Sequence, residues 1–152
     1  MTSPADEHAE VIPALMRAAR GCYAQAINAQ LLAAGFDDLP RSGPFVIGGM
    51  AHGGWSAADM IHGLEVTKQA ASQLIDTLVI RGYLARETDP EDRRRMTIEL
   101  TERGRAAAVA VGAGIAAVDA ELAERLSPPE LHGLRAGLTA LAEIKERMAA
   151  GS

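Results

Sequence analysis

Three consecutive arginines, Arg93 to Arg95, carry the strongest chemical signal in the sequence. A guanidinium group is permanently charged and presents its donors in one plane, so it suits phosphate oxygens and the negative potential of a DNA minor groove. The chain as a whole has a net charge of −5, which argues against a polyanionic partner. Between Arg93 and Arg105, however, five basic residues stand against two acidic ones. Positive charge is therefore concentrated in one short stretch, as a nucleic-acid-binding surface requires.

A second group of polar side chains recurs along residues 67–76. At helical spacing it occupies one side of the segment, opposite an apolar side made of Ala71, Leu74, Ile75 and Leu78. Glutamine can pair with adenine, lysine with guanine or phosphate, and a hydroxyl with phosphate. The pattern predicts a helix that packs its apolar side on the protein and presents its polar side to the major groove. The predicted DNA contacts of this helix are Thr67, Lys68, Gln69, Ser72 and Gln73, and Asp76 lies on the same side.

Two short helices and a hairpin are needed to position these groups. Ser56, with Asp59 three residues later, predicts a capped helix start, and Thr67 is a good cap for the next helix. The predicted elements are helices at Ala57–Gly63 and Lys68–Ile80 and hairpin arms at Tyr83–Glu87 and Met96–Leu100. This order predicts a winged helix-turn-helix with Arg93, Arg94 and Arg95 on the wing in contact with DNA. Asp92 is predicted to pin the wing by pairing with an arginine.

Four further helices are predicted on either side of these elements. They span about Pro4–Ala34, Pro40–Ala51, Thr101–Leu126 and a final stretch that begins at Ser127-Pro128. The first helix is predicted to bury one face, formed by Ile12, Leu15, Ala19, Cys22, Ala26 and Ala29. The fold class is therefore mainly α with a small β-hairpin wing. We expect one domain of 152 residues, with a DNA-binding lobe at about 40–100 and terminal helices at about 4–34 and 101–149.

The last helix carries an apolar repeat whose partner the sequence does not identify. Its leading members are Leu131, Leu134, Leu138 and Leu141. This stripe is either an intramolecular core or a seam to a partner. Because the terminal helices of so short a chain have no other layer to pack on, the pattern favours a two-fold dimer.

Residues 56–105 resemble the DNA-binding part of MarR-family transcriptional regulators. The resemblance is carried by Asp89–Arg95 (DPEDRRR), by Leu100–Arg105 (LTERGR) and by Met60–Gln69 upstream. It also extends to the spacing of Leu74, Leu78 and Gly82-Tyr83-Leu84. Two positions depart from the family pattern. Glu65 stands in the turn where glycine is usual, so we expect a turn without positive φ. Ile61 replaces a small residue, so we expect the two helices to sit slightly apart.

The resemblance implies a homodimer held by the terminal helices and acting on a pseudo-palindromic operator of double-stranded DNA. It also implies control by a small, often aromatic or anionic effector bound between the dimer helices and the DNA-binding lobe, with repression as the expected effect. The residues chosen for that pocket are Met16, Arg20, Met50 and Trp55. Two alternatives stay open: a redox-sensing regulator that uses Cys22, and a dimeric interaction module that has lost DNA binding.

Other classes of function find little support in the sequence. Cys22 is the single cysteine, so we expect no internal disulfide, and a small buried hydrophobic residue is its ordinary role. No metal, cofactor or enzymatic activity is expected, since the histidines lack metal-ligand spacing and no nucleophile–base set occurs. The glycine pairs at 48–49 and 53–54 lack the lysine of a phosphate-binding loop. The start is not that of a signal peptide and no uninterrupted apolar run approaches ~18 residues, so a cytoplasmic protein without a membrane span is expected.

Overall fold

The computed structural model describes residues 11–151, which form six helices and one two-stranded antiparallel hairpin. In chain order the elements are α1 (Ile12–Ala33), α2 (Gly43–Gly53), α3 (Ala57–Gly63), α4 (Lys68–Ile80), β1 (Leu84–Thr88), β2 (Met96–Leu100), α5 (Glu102–Arg125) and α6 (Pro128–Ala150). The predicted fold class, mainly α with a small hairpin wing, is confirmed. The chain divides into two compact units, Met1–Ile115 and Ala116–Ser152.

Helix α1 packs on the core through a different stripe from the predicted one. Of the predicted apolar repeat, Ile12, Leu15, Ala19, Cys22 and Ala29 are exposed and Ala26 is partly buried. The predicted buried face, including a buried Cys22, is therefore wrong for the single chain. The packed stripe instead runs through Tyr23, Ile27 and Leu31, at spacings of four residues. Because alanine occurs on every side of this helix, the apolar period does not identify which side faces the core.

Helix α2 begins later in the chain than predicted, and the start predicted for the first helix is not among the described residues. The predicted start at Pro4 lies outside the described residues, and α1 begins at Ile12. Helix α2 begins at Gly43 instead of Pro40, because the chain first makes a turn in which the N–H of Gly43 donates to the carbonyl of Pro40 at 2.7 Å. Helix α2 then contributes two fully buried side chains, Val46 and Ile47, to the core of the first unit.

Helix α5 supplies the same core with small side chains. Its buried residues are Gly104, Ala107, Ala108, Ala110, Val111 and Gly114. A Cβ atom on Gly114 would lie 2.5 Å from the Cα of Ile27, so the backbones of α1 and α5 touch at this point. By length and mean hydropathy (1.6 over 18 residues), α5 is the one helix among residues 11–151 that could cross a membrane. Its buried alanine, valine and glycine residues make it a core helix of this fold.

The second unit contains the end of α5 and all of α6. Glu121 and Arg125 form an ion pair at 3.0 Å along α5. Helix α6 starts as predicted: the main-chain N–H of Ser127 donates to Glu130 Oε2 at 2.8 Å, and hydrogen bonds from Ser127 hold the pKa of Glu130 below its ordinary value. No residue of α6 is buried, and its large apolar side chains Leu134, Leu138, Leu141 and Ile144 are 37–46% exposed. Within residues 116–151, the leucine repeat therefore forms no buried core.

We expect Gly104→Ala to destabilise the protein and Gly21→Ala to stabilise it slightly. A Cβ atom on Gly104 would lie 2.1 Å from the main-chain oxygen of Tyr83, whereas a Cβ atom on Gly21 would meet nothing within 4 Å. The first change should lower the free energy of unfolding by about 1–3 kcal/mol, since backbone has to move. Gly21→Ala should raise the free energy of unfolding by about 0.5–1 kcal/mol, because alanine is favoured over glycine inside a helix and its Cβ atom meets no neighbour here. Chemical denaturation measures both, and equal effects would contradict this packing.

Candidate nucleic-acid interface

Helices α3 and α4 begin at the two predicted caps. Ser56 and Asp59 form a reciprocal pair, in which the N–H of Asp59 donates to Ser56 Oγ at 3.1 Å and the N–H of Ser56 donates to Asp59 Oδ2 at 3.0 Å. The hydrogen bonds from Ser56 hold the pKa of Asp59 below its ordinary value. At the start of α4 the hydroxyl oxygen of Thr67 accepts the N–H of Ala70 at 3.2 Å. Both helices therefore start at positions fixed by local hydrogen bonds.

The turn between α3 and α4 contains a left-handed residue, contrary to prediction. Glu65 has a φ of +54° and is the one non-glycine residue with positive φ among residues 11–151. A side chain in this conformation costs roughly 1–3 kcal/mol. The tight turn between the helices imposes a positive φ at this position, and the turn keeps it although the residue is glutamate instead of glycine. Ile61 in α3 is partly buried and packs against the core. The wider spacing of the two helices expected from Ile61 stays a prediction.

Helix α4 has the two predicted sides. Leu78 is fully buried, and Ala71, Leu74 and Ile75 are partly buried. The exposed residues of the opposite side are Thr67, Lys68, Gln69, Ser72, Gln73 and Asp76. Asp76 accepts a hydrogen bond from Arg86 of β1 within an ion pair. Asp76 therefore joins α4 to the hairpin, and the other five exposed residues remain available to a ligand.

The hairpin forms a wing whose tip is shaped by aspartates. Strands β1 and β2 pair in the register Leu84 with Leu100 through Thr88 with Met96. Across the tip, the N–H of Asp89 donates to the carbonyl of Arg95 at 2.9 Å. Asp92 Oδ1 accepts the main-chain N–H of Arg94 at 3.0 Å. Asp92 therefore does hold the wing, but its partner is the main chain instead of an arginine side chain.

The three arginines of the wing are free to act on a partner. Arg93, Arg94 and Arg95 are all exposed. Within residues 11–151, none of their guanidinium groups has an ion-pair partner. Since the aspartates bond to main-chain groups, the shape of the tip does not depend on these side chains.

A polar cluster that no sequence pattern indicated lies where α4, the wing and α5 meet. The hydroxyl of Tyr83 donates to Asp38 Oδ1. Arg103 donates to the same Asp38 oxygen at 3.0 Å and to the hydroxyl oxygen of Tyr83 at 3.1 Å, and its guanidinium lies 4.6 Å from the centre of the Tyr83 ring. Asp38 precedes α2, and Arg103 is in the first turn of α5. We call these three residues the junction cluster.

The charges of the junction cluster are matched. The hydrogen bond from Tyr83, followed by the charge of Arg103, holds the pKa of Asp38 below its ordinary value of 3.8. Burial, followed by the hydrogen bond to Asp38, raises the pKa of Tyr83 above its ordinary value of 10.0. At neutral pH the cluster therefore consists of a carboxylate, a guanidinium and a neutral phenol.

The residues chosen for an effector pocket do not line the groove found in the first unit. Met16 and Arg20 are exposed on α1, Met50 is partly buried against the core, and Trp55 is 58% exposed. A groove of about 330 Å³ lies elsewhere and is lined by Gln30, Ala33, Ala34, Ala106, Val109, Ala110 and Ala113. The assignment of those four residues to an effector stays a prediction. Among residues 11–151 no group of side chains could hold a metal ion.

Comparisons with known proteins identify the same fold and a family. Residues 46–95 match the model of the MarR family. CouR from Rhodococcus jostii RHA1, solved with p-coumaroyl-CoA, aligns at 23% identity and a TM-score of 0.66, over 88% of this chain and 93% of that one. The transcriptional repressor CouR, solved with a 23-mer DNA duplex, aligns at 19% identity and a TM-score of 0.68, over 93% and 99%.

A third solved structure extends the match to nearly the whole chain. RV1404 from Mycobacterium tuberculosis aligns at 25% identity and a TM-score of 0.64, over 96% of this chain and 97% of that one. No curated protein sequence matches significantly. The segment 46–95 that matches the family model contains α3, α4 and the wing tip. The structural alignment with RV1404 also includes the regions before and after this segment. Residues 46–95 therefore match the MarR family, and the chain as a whole has the winged helix-turn-helix fold of these solved structures.

Proposed function

We propose that the protein is a homodimeric transcriptional repressor that binds a pseudo-palindromic operator and releases it on binding a small effector. The observation that carries the proposal is the pairing, within one unit, of an exposed polar helix side with three arginines that have no ion-pair partner there. Such a surface can read base edges with the helix and hold phosphates with the wing. The structural similarity to CouR in complex with DNA supports this orientation.

The proposed reading contacts come from the first turns of α4. Gln69 and Gln73 can form paired hydrogen bonds with adenine, and Lys68 can reach guanine or phosphate. The hydroxyl of Thr67 accepts a bond from Ala70 and still has its hydrogen to donate to a phosphate. Ser72 adds a second hydroxyl on the same side. Arg93, Arg94 and Arg95 are proposed to hold the backbone or the minor groove beside this site.

The proposed dimer depends on the exposed stripe of α6. Leu134, Leu138 and Leu141 repeat at helical spacing and are exposed in the single chain, as is part of Leu131. A continuous apolar stripe in water marks a protein interface. To read successive major grooves, the two copies of α4 in the proposed dimer would have to lie about 34 Å apart, which is one turn of B-DNA.

The proposed effector is a small aromatic or anionic molecule in the cytoplasm, where the operator lies. CouR, a structural relative, binds p-coumaroyl-CoA, which has both properties. Arg20 could neutralise an anion and the exposed indole of Trp55 could stack on an aromatic ring, with Met16 and Met50 as apolar walls. Cys22 is exposed, which supports the alternative of a thiol sensor, although one cysteine per chain restricts it to bonds with another molecule.

Selection of bound duplexes from a random pool tests the proposal directly. A dimeric DNA reader should enrich an inverted repeat whose half-sites lie about one helical turn apart. Failure to enrich any sequence, with a stable dimer in solution, would favour the interaction module that has lost DNA binding.

Removing a wing arginine should weaken DNA binding without changing sequence preference. For each phosphate that is no longer neutralised, the slope of log K against log salt should fall by about 0.9. We expect this for Arg94→Ala, and roughly three times the change for the triple alanine variant. Arg125→Ala is the control, because it removes the same charge from an exposed ion pair with Glu121. An unchanged slope in the triple variant would refute the wing contacts.

Changing a reading residue should have the opposite signature. Gln73→Ala should relax base preference at one position of each half-site, by about 1–3 kcal/mol, and leave the salt slope nearly unchanged. Leu78→Ala, on the buried side of the same helix, should instead lower the free energy of unfolding by about 2–5 kcal/mol and keep the preferred bases. Repeating the duplex selection with both variants distinguishes a residue that contacts bases from one that only stabilises the helix. An unaltered preferred sequence for Gln73→Ala would exclude this contact.

A charge on the α6 stripe should abolish the dimer and DNA binding together. Leu138→Glu would place two carboxylates in an apolar seam, where burial of charge is strongly unfavourable. Ala136→Glu adds the same charge on the other side of the exposed helix and should leave the dimer intact. Sedimentation at micromolar concentration measures both. A wild-type monomer that binds its operator tightly would rule out this architecture.

A further inference from the structure

Tyr83 is the last of the three residues that link helix α4, which ends at Ile80, to strand β1, which begins at Leu84. It follows Arg81 and Gly82 at the end of α4 and directly precedes β1, and its side chain is fully buried. Phe36 packs against its ring edge-to-face, with the ring centres 6.1 Å apart. Any movement of this residue is therefore transmitted both to α4 and to the hairpin.

The junction cluster ties this link to two other parts of the first unit. Through its hydroxyl, Tyr83 reaches Asp38 in the connection between α1 and α2 and Arg103 at the start of α5. Arg81 at the end of α4 donates to the main-chain carbonyl of Asp38 as well. The C-terminal end of α4 is thus bonded to the connection that follows α1. The residues proposed to read DNA lie at the other end of the same helix.

Because α4 is bonded at its C-terminal end, a small tilt of the helix displaces its N-terminal end the most. The helix has 13 residues and is about 20 Å long, so a tilt of about 5° at its C-terminal end moves the N-terminal end by about 1.7 Å. A displacement of that size is enough to break a hydrogen bond to a base edge. A change in the bonds at the C-terminal end of α4 would therefore alter the position of the residues at its N-terminal end.

We propose that Tyr83 is a positioning residue for DNA recognition, whose hydroxyl, held between Asp38 and Arg103, sets the tilt of α4 relative to α1 and α5. The inference rests on the proposed function and adds the route by which movement of α1 or α5 reaches the recognition helix. Loss of the hydroxyl lowers the fraction of molecules in which α4 has the tilt that binds DNA. The apparent affinity falls in proportion to that fraction.

Tyr83→Phe tests the proposal because it removes one oxygen atom and no charge. We expect the affinity for the selected operator to fall about 5- to 10-fold at 25 °C, with the slope of log K against log salt unchanged, since every phosphate contact is retained. A purely structural role predicts no loss of affinity, because a modest loss of stability leaves nearly all molecules folded. Val111→Ala, which trims a buried side chain of α5, is the control. It should lower the thermal midpoint while affinity stays within twofold of wild type.

Asp38→Asn provides a second variant that leaves the buried ring in place. It should also weaken binding, because a neutral amide oxygen accepts a weaker hydrogen bond from Tyr83 than a carboxylate does. Combining it with Tyr83→Phe should give less than the product of the two separate effects, since both changes act on the same Tyr83–Asp38 hydrogen bond. If Tyr83→Phe does not fold, Asp38→Asn decides by the same affinity and slope criteria.

The outcomes separate this inference from the proposed function. A wild-type protein that binds no duplex overturns both. A wild-type protein that binds while Tyr83→Phe stays within twofold of it overturns the positioning role alone. The same follows if Val111→Ala loses as much affinity as Tyr83→Phe, because the effect would then be one of stability.

Discussion

The main-chain carbonyl of Tyr83 is the point on which the geometry of the first unit depends. It accepts the N–H of Thr101 at 3.1 Å, while the Thr101 hydroxyl donates to the neighbouring carbonyl of Gly82 at 2.5 Å. The same Thr101 hydroxyl oxygen accepts the N–H of Gly104 at 3.0 Å, which starts α5. The approach is so close that residue 104 has no room for a side chain. The end of the recognition helix, the start of the wing and the start of the core helix are therefore joined by hydrogen bonds to the main chain and the side chain of Thr101.

Features set by near neighbours in the chain could be predicted from the sequence. The caps at Ser56, Thr67 and Ser127 each depend on a residue three positions away, so the spacing of residue types was sufficient. The two sides of α4 followed from its apolar period, because Leu74, Ile75 and Leu78 recur at helical spacing on the packed side. The resemblance to the MarR family, carried by the wing and the helix pair, gave the function that the family match supports.

Features set by distant residues could not be predicted in the same way. Tyr83 and Asp38 are separated by 45 positions, and Arg103 and Asp38 by 65, and no periodic pattern links them. A tyrosine directly after the helix-ending Gly82 was the one available signal. The core-facing side of α1 was missed because alanine dilutes its apolar period, which also misplaced Cys22. The left-handed Glu65 follows from the tightness of the turn, which residue type alone did not reveal.

The composition of the wing tip has a consequence for the kinetics of association. Residues 89–95 contain three acidic and three basic side chains, so the tip carries no net charge. Beyond the screening length of about 10 Å in 0.1 M salt, its field largely cancels, and it adds little to long-range attraction towards DNA. At contact the charges act separately, because Asp89 and Asp92 bond to main-chain groups while the guanidinium groups extend outwards. Such a tip contributes to how long a complex lasts more than to how fast it forms.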